Sequence, residues 1–107
     1  MQTTIARGNI SGLFLFAPTL TPVATATSAA EQTFSVVGLN VGDFVEVNSP
    51  AGQTAGVGIG SCRVSAQDTL AVIFTNGTGS SATAAAGAYQ ILVTRPESNG
   101  PAATSLA

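Results

Sequence analysis

Apolar and polar positions alternate along much of this chain with a period of two, the signature of strands with one face buried. In EQTFSVVGL, residues 31–39, Thr33 and Ser35 fall on one face and Phe34 and Val36 on the other. NVGD follows as a turn, with Gly42 free to take positive φ. DFVEVNSP then sets Val45 and Val47 against Phe44 and Glu46, and Pro50 ends the strand. In VGIGSCRVS the parity changes, since Val57 and Ile59 share one face and Cys62 and Val64 the other. One extra residue at Gly60–Ser61, a β-bulge, reconciles them. After the SAQD turn, TLAVIFTN points Leu70, Val72 and Phe74 inward, and AYQILVTRP does the same with Tyr89, Ile91 and Val93. The small-residue stretch GTGSSATAAAG between them reads as a loop. With GLFLFAP and a strand around TLTPVATA, about seven short strands are predicted. They specify an all-β single domain, a β-sandwich or jelly-roll-like fold. Its core spans residues 19–95, preceded by an extended N-terminal arm (1–18) and followed by a C-terminal tail (96–107).

GLFLFAP, residues 12–18, breaks the alternation: Leu13, Phe14, Leu15 and Phe16 are apolar on both faces. Ile73 and Leu92 likewise put an apolar side chain on the face opposite the core positions of their strands. Loops of a two-layer fold would cover such residues, but so would another molecule, and contiguous exposed apolar surface marks interaction sites. Burying one Leu or Phe is worth roughly 1.5–3 kcal/mol, whereas association costs on the order of 4–15 kcal/mol in lost freedom. One such segment is a marginal anchor; many on a repeating assembly make a firm one. The expected partner-binding residues are therefore Ile10, Leu13, Phe14, Leu15, Phe16, Ile73 and Leu92. Arg7 and Arg95, flanking the core, are expected to reach acids on a partner, and Arg63, within a strand, to serve the domain's own surface.

Composition sharpens this picture. Only 7% of residues are charged, against about 25% in an average domain, so the polar surface is built from Thr, Ser, Asn, Gln and backbone. Three scattered arginines and a net charge of −2 supply no basic patch for nucleic acid or for an anionic membrane. Weak electrostatic repulsion between copies suits an assembled protein. ISGLFLFAPTL followed by ATA has the outline of a signal peptide, but Arg7 is the only charge upstream and Gly12 and Pro18 interrupt the apolar run. The segment is therefore read as part of the folded protein.

The chain offers little chemistry. There is no histidine for a Ser-His or Cys-His pair. Cys62, the one cysteine, has no partner for a disulfide or a metal and reads as a small buried hydrophobe in a strand. GVGIGS is followed by strand-like sequence rather than by a helix N-terminus, so it is not a phosphate loop. Among the acids, Asp43 and Asp68 sit in turns, where carboxylates bond nearby amides. The NIS and NGT matches at Asn9 and Asn76 are short enough to arise by chance. No enzymatic activity, cofactor or metal is expected.

GLNVGDFVEV, GVGIGSCRVSAQDTLAVIFTN and the closing YQILVTRP together resemble small β-rich structural proteins encoded among the head genes of tailed bacteriophages. The resemblance covers residues 30–96. It implies a capsid cement or decoration protein on the outer surface of the virion. Such a protein reinforces contacts between major capsid protein subunits and associates with itself as a homodimer or homotrimer. The alternative is a phage fibre or adhesin module that binds host-surface glycan.

Overall fold

The computed structural model describes residues 10–27, 30–49 and 52–96. The described chain is all-β and forms a single domain. Its strands are β1 (Ile10–Phe16), β2 (Thr19–Leu20), β3 (Ala24–Thr25), β4 (Glu31–Ser35), β5 (Phe44–Asn48), β6 (Val57–Ala66), β7 (Thr69–Asn76), β8 (Ala82–Thr83), β9 (Gly87–Ala88) and β10 (Gln90–Pro96). Two antiparallel three-stranded sheets, β1-β10-β5 and β4-β7-β6, carry the longer strands, and the short pairs β2-β9 and β3-β8 lie between them in sequence.

Alternation sets the inner faces. Leu70, Val72 and Phe74 of β7, with Tyr89, Ile91 and Val93 at β10, are fully buried. Leu20, Val36, Leu39 and Val57 join them in one cluster, and Phe16, Phe34, Val45 and Val47 pack against it. Phe74 joins the contributions of the two sheets: its ring meets Phe34 edge-on at 6.4 Å and Tyr89 at 6.3 Å between centroids. Tyr89 keeps its hydroxyl satisfied inside this core. The O–H donates to the Ala85 carbonyl at 2.6 Å and accepts from Gln53 Nε2 at 3.1 Å. Gln53 Oε1 in turn accepts from the amides of Thr54 and Ala85. The 77–87 stretch expected as a plain loop is therefore tied down: it contains β8 and runs into β9, and Ala84 is buried. Gln53→Ala is expected to lower stability by about 1–2 kcal/mol, read by urea denaturation, because the Ala85 amide and the Tyr89 hydroxyl lose a partner in a part-buried site.

The register of β6 on β7 shifts between Ile59 and Ser61, where the parity change demanded it, and again between Val64 and Ala66. Gly42 adopts φ +99°, as its turn requires. Gly38 sits at φ +108°, and a Cβ there would lie 2.9 Å from the Phe16 ring. Strain and overlap act together at this position, so Gly38→Ala is expected to cost about 1–3 kcal/mol, measured as a lowered denaturation midpoint at unchanged slope.

Residues 10–16 are not an arm lying outside the core. They form β1, paired along its length with β10 from Ile10↔Pro96 to Phe16↔Ile91. The reason is physical: an extended segment can satisfy its amides without solvent only by joining a sheet. Residues 1–9 and 97–107, the remainder of the expected arm and tail, lie outside the described residues, and so does Arg7.

Candidate interaction surface

Pairing across the β1-β10-β5 sheet fixes which side chains share a face. Phe14 and Phe16 stand opposite Val93 and Ile91, which pair in turn with Val45 and Val47. This is the core side. The other face carries two rows, Leu13–Thr94–Phe44 and Leu15–Leu92–Glu46. Leu13 and Leu15 are 66% exposed, Phe44 68% and Leu92 38%. The second face of the doubly apolar segment is thus open among the described residues, and Leu13 and Leu15 share it with Leu92 and Phe44, with Thr94 between the first row's ends and Glu46 closing the second.

The opposite sheet handles its outer face differently. Arg63 and Thr33 flank Ala71 across β7, and Ser61 and Glu31 flank Ile73. The Arg63 guanidinium crosses β7 to Glu31, with Nε donating to Oε2 at 2.8 Å and Nη2 to Oε1 at 2.9 Å. This bridge roofs the outer face: Ala71 is fully buried and Ile73 half-buried. The paired guanidinium holds the Glu31 carboxyl below its ordinary range. Arg63 therefore serves the domain's own surface. Ile73 is set apart from Leu13, Leu15 and Leu92, on the other sheet.

Arg95, expected to reach acids on a partner, is engaged within its own domain. It projects from the core side of β10 and closes one end of the domain, donating from Nε to Asp43 Oδ1 at 3.0 Å and from Nη2 to Oδ2 at 2.8 Å. The same Nη2 donates to the Gly38 carbonyl at 2.7 Å, and the guanidinium lies 4.8 Å from the Phe14 ring centroid. The Asn40 amide donates to Asp43 Oδ2 at 2.9 Å, the turn role expected of this aspartate. The Asp43 side chain is 1% exposed and that of Arg95 24%. Hydrogen bonding from Arg95 holds the Asp43 carboxyl below its ordinary range, against the opposing effect of burial. A nearly enclosed aspartate needs a cation, and Arg95 supplies it.

The expected binding residues therefore divide. Leu13, Leu15 and Leu92 share the outer face. Phe14 and Phe16 face the core side, Phe16 packed on the core and Phe14 40% exposed at the sheet margin. Ile10 is half-buried opposite Pro96. Phe44 shares that outer face although the alternation of DFVEV, which places it with Glu46, did not single it out.

Other candidates resolve into structure. Cys62 is half-buried on the core, its thiol donating to the Val45 carbonyl at 3.4 Å, and burial pushes its pKa up. The Asn76 amide of NGT donates to the carbonyls of Thr25 and Ser80. A depression of about 330 Å³ opens beside Asn40, Val41 and Gly42, but the charged groups lining it, Asp43 and Arg95, are each other's partners. Among the described residues there is no cluster of metal-ligating side chains and no helix long and apolar enough to cross a membrane. No family model, curated protein or solved structure matches the chain.

Proposed function

We propose that this chain is a structural virion protein. It is a cement protein on the outside of a tailed-phage head, and it reinforces contacts between subunits of the major capsid protein. Its β1-β10-β5 face is the docking side. The observation that carries this reading is the group Leu13, Leu15, Leu92 and Phe44, four exposed apolar side chains drawn from all three strands of one sheet face in a chain with very few charges. A cement protein needs complementary surfaces repeated many times, not a catalytic constellation. Two three-stranded sheets around one core support a β-sandwich of jelly-roll-like type. The glycan-binding alternative calls for an aromatic platform among polar side chains, whereas Tyr89 is buried and the exposed ring of Phe44 shares its face with leucines.

Location and copy number on purified virions test the proposal. Hundreds of copies on the outer head surface are expected. A few dozen copies on fibres, or none on the particle, would overturn it.

A further inference from the structure

Each three-stranded sheet has two edges, and among the described residues three of the four are guarded. Along β4, Glu31 supplies a charge, and the Gln32 side chain bonds both the amide and the carbonyl of Val23. Along β6, two register shifts break the edge and Arg63 adds a charge. At β5, the Val45 carbonyl accepts the Cys62 thiol from β6, and Glu46 stands on the outer face. Charges, bulges and covering contacts are the devices by which sheet edges avoid pairing with other chains.

Among the described residues, β1 has none of these beyond its first residues, Ile10 and Ser11. Among the described residues it pairs with β10 alone. Its register shift is confined to the stretch between Ile10 and Gly12. From Gly12 to Phe16 the strand is regular and carries no charge and no proline. It also leaves apolar groups exposed on both faces of the same margin, Leu13 and Leu15 outward and Phe14 on the core side. A molecule lying on one face cannot cover both; a strand added at the edge can. The best-matched strand in this domain is β1 itself, apolar on both faces and uncharged; the cation beside it, Arg95 over Phe14, is neutralised by Asp43, so two copies meet without strong like-charge repulsion.

We infer that two copies of this chain pair antiparallel along β1, joining their β1-β10-β5 sheets into one six-stranded sheet about a two-fold axis near Phe14. The axis sets Phe14 opposite its own counterpart and Leu13 opposite the Leu15 of the second copy, and the two outer faces become continuous. This deepens the reading of the domain as an assembling protein by naming how it binds its own kind. The regular stretch is about 17 Å long, less than a standard interface offers, so the dimer is concentration-dependent rather than permanent.

Sedimentation velocity on the full chain is expected to show a monomer–dimer equilibrium. Hydrogen exchange is expected to slow at the amides of residues 12–16 as concentration rises. In a Cys62→Ala background, Phe14→Cys is expected to cross-link under mild oxidation, because directly opposed residues lie about 4.5–5.5 Å apart between Cα atoms. Leu92→Cys is expected not to, being three strand spacings across and two residues along from its counterpart, about 16 Å in all. If Phe14→Cys fails to fold, hydrogen exchange of the unmodified chain decides. A dissociation constant weaker than about 1 mM, or a dimer cross-linked through Leu92→Cys and not Phe14→Cys, overturns the inference. A monomer that still co-sediments with phage heads refutes the self-pairing alone; a β1-paired dimer that does not bind heads refutes the cement reading alone.

Discussion

Replacing Asp43 by asparagine is expected to remove about 2–4 kcal/mol of stability, a large part of what holds a domain of this size folded. In the native chain both carboxylate oxygens are engaged by the Arg95 guanidinium, and the Asn40 amide adds a third bond. An asparagine keeps one acceptor but brings an NH₂ group against donors. Arg95 then lies beside Phe14 and the Gly38 carbonyl without the carboxylate that neutralises it. The loss falls on the junction between the turn at residues 40–43 and the end of β10, so the Gly12–Phe14 end of β1 is expected to loosen first. Chemical denaturation measures the total, and amide exchange along residues 38–44 and 93–96 locates it.

The same pair sets an acid limit. The Asp43 carboxyl titrates below its ordinary value of 3.8 in the folded chain, so its contribution is complete above that value. It is lost as pH falls through the depressed folded value. Glu31, held low by Arg63, has the same sign but lies on the surface, where ion pairs contribute little. The acid limb of the wild-type stability curve is therefore expected to flatten in Asp43→Asn and to persist in Glu31→Gln.

The other large effect concerns attachment, not folding. Leu13→Thr, Leu92→Thr and Phe44→Thr combined are expected to leave the fold intact, since each change removes exposed apolar surface and installs a good strand former. Covering the exposed part of each side chain is worth about 1–2 kcal/mol, so about 3–6 kcal/mol is lost together. That weakens binding to a phage head by about 10²–10⁴-fold. Arg63→Ser, on the opposite sheet, is expected to leave binding unchanged. Co-sedimentation with heads, with circular dichroism as the folding control, separates the two faces.

The contrast between these predictions reflects what a linear sequence records. Alternation reveals which face a side chain occupies, because side-chain direction is a local property of a strand. Leu70, Val72, Phe74, Tyr89, Ile91 and Val93 are accordingly all buried, and the parity break marked the bulge beside Gly60. Alternation does not reveal which strand lies alongside. Nothing near residue 12 announces that β1 pairs with β10, some eighty positions away, and so the segment reads as an arm. The Asp43–Arg95 pair is hidden in the same way: Asp43 looks like a turn residue, Arg95 looks like a free cation, and only the tertiary fold brings them together. Ile73 reads like Leu92 in sequence, but a roof supplied by Arg63 and Glu31 distinguishes it in space. Phe44 is the converse, legible by parity beside Glu46 yet unremarked until its pairing with Thr94 placed it in line with Leu13.

The claim on which the functional account depends is that the outer face of the β1-β10-β5 sheet is covered by another molecule when the protein is in place. Thiol footprinting addresses it directly. In a Cys62→Ala background, single cysteines at Leu13, Phe44 and Leu92 report on that face, and one at Thr33 reports on the opposite sheet. All are expected to react with a maleimide in the free chain, Leu92→Cys most slowly. On the assembled particle the three are expected to be protected while Thr33→Cys stays reactive. Equal labelling of all four on the particle, or protection at Thr33→Cys alone, would contradict the account.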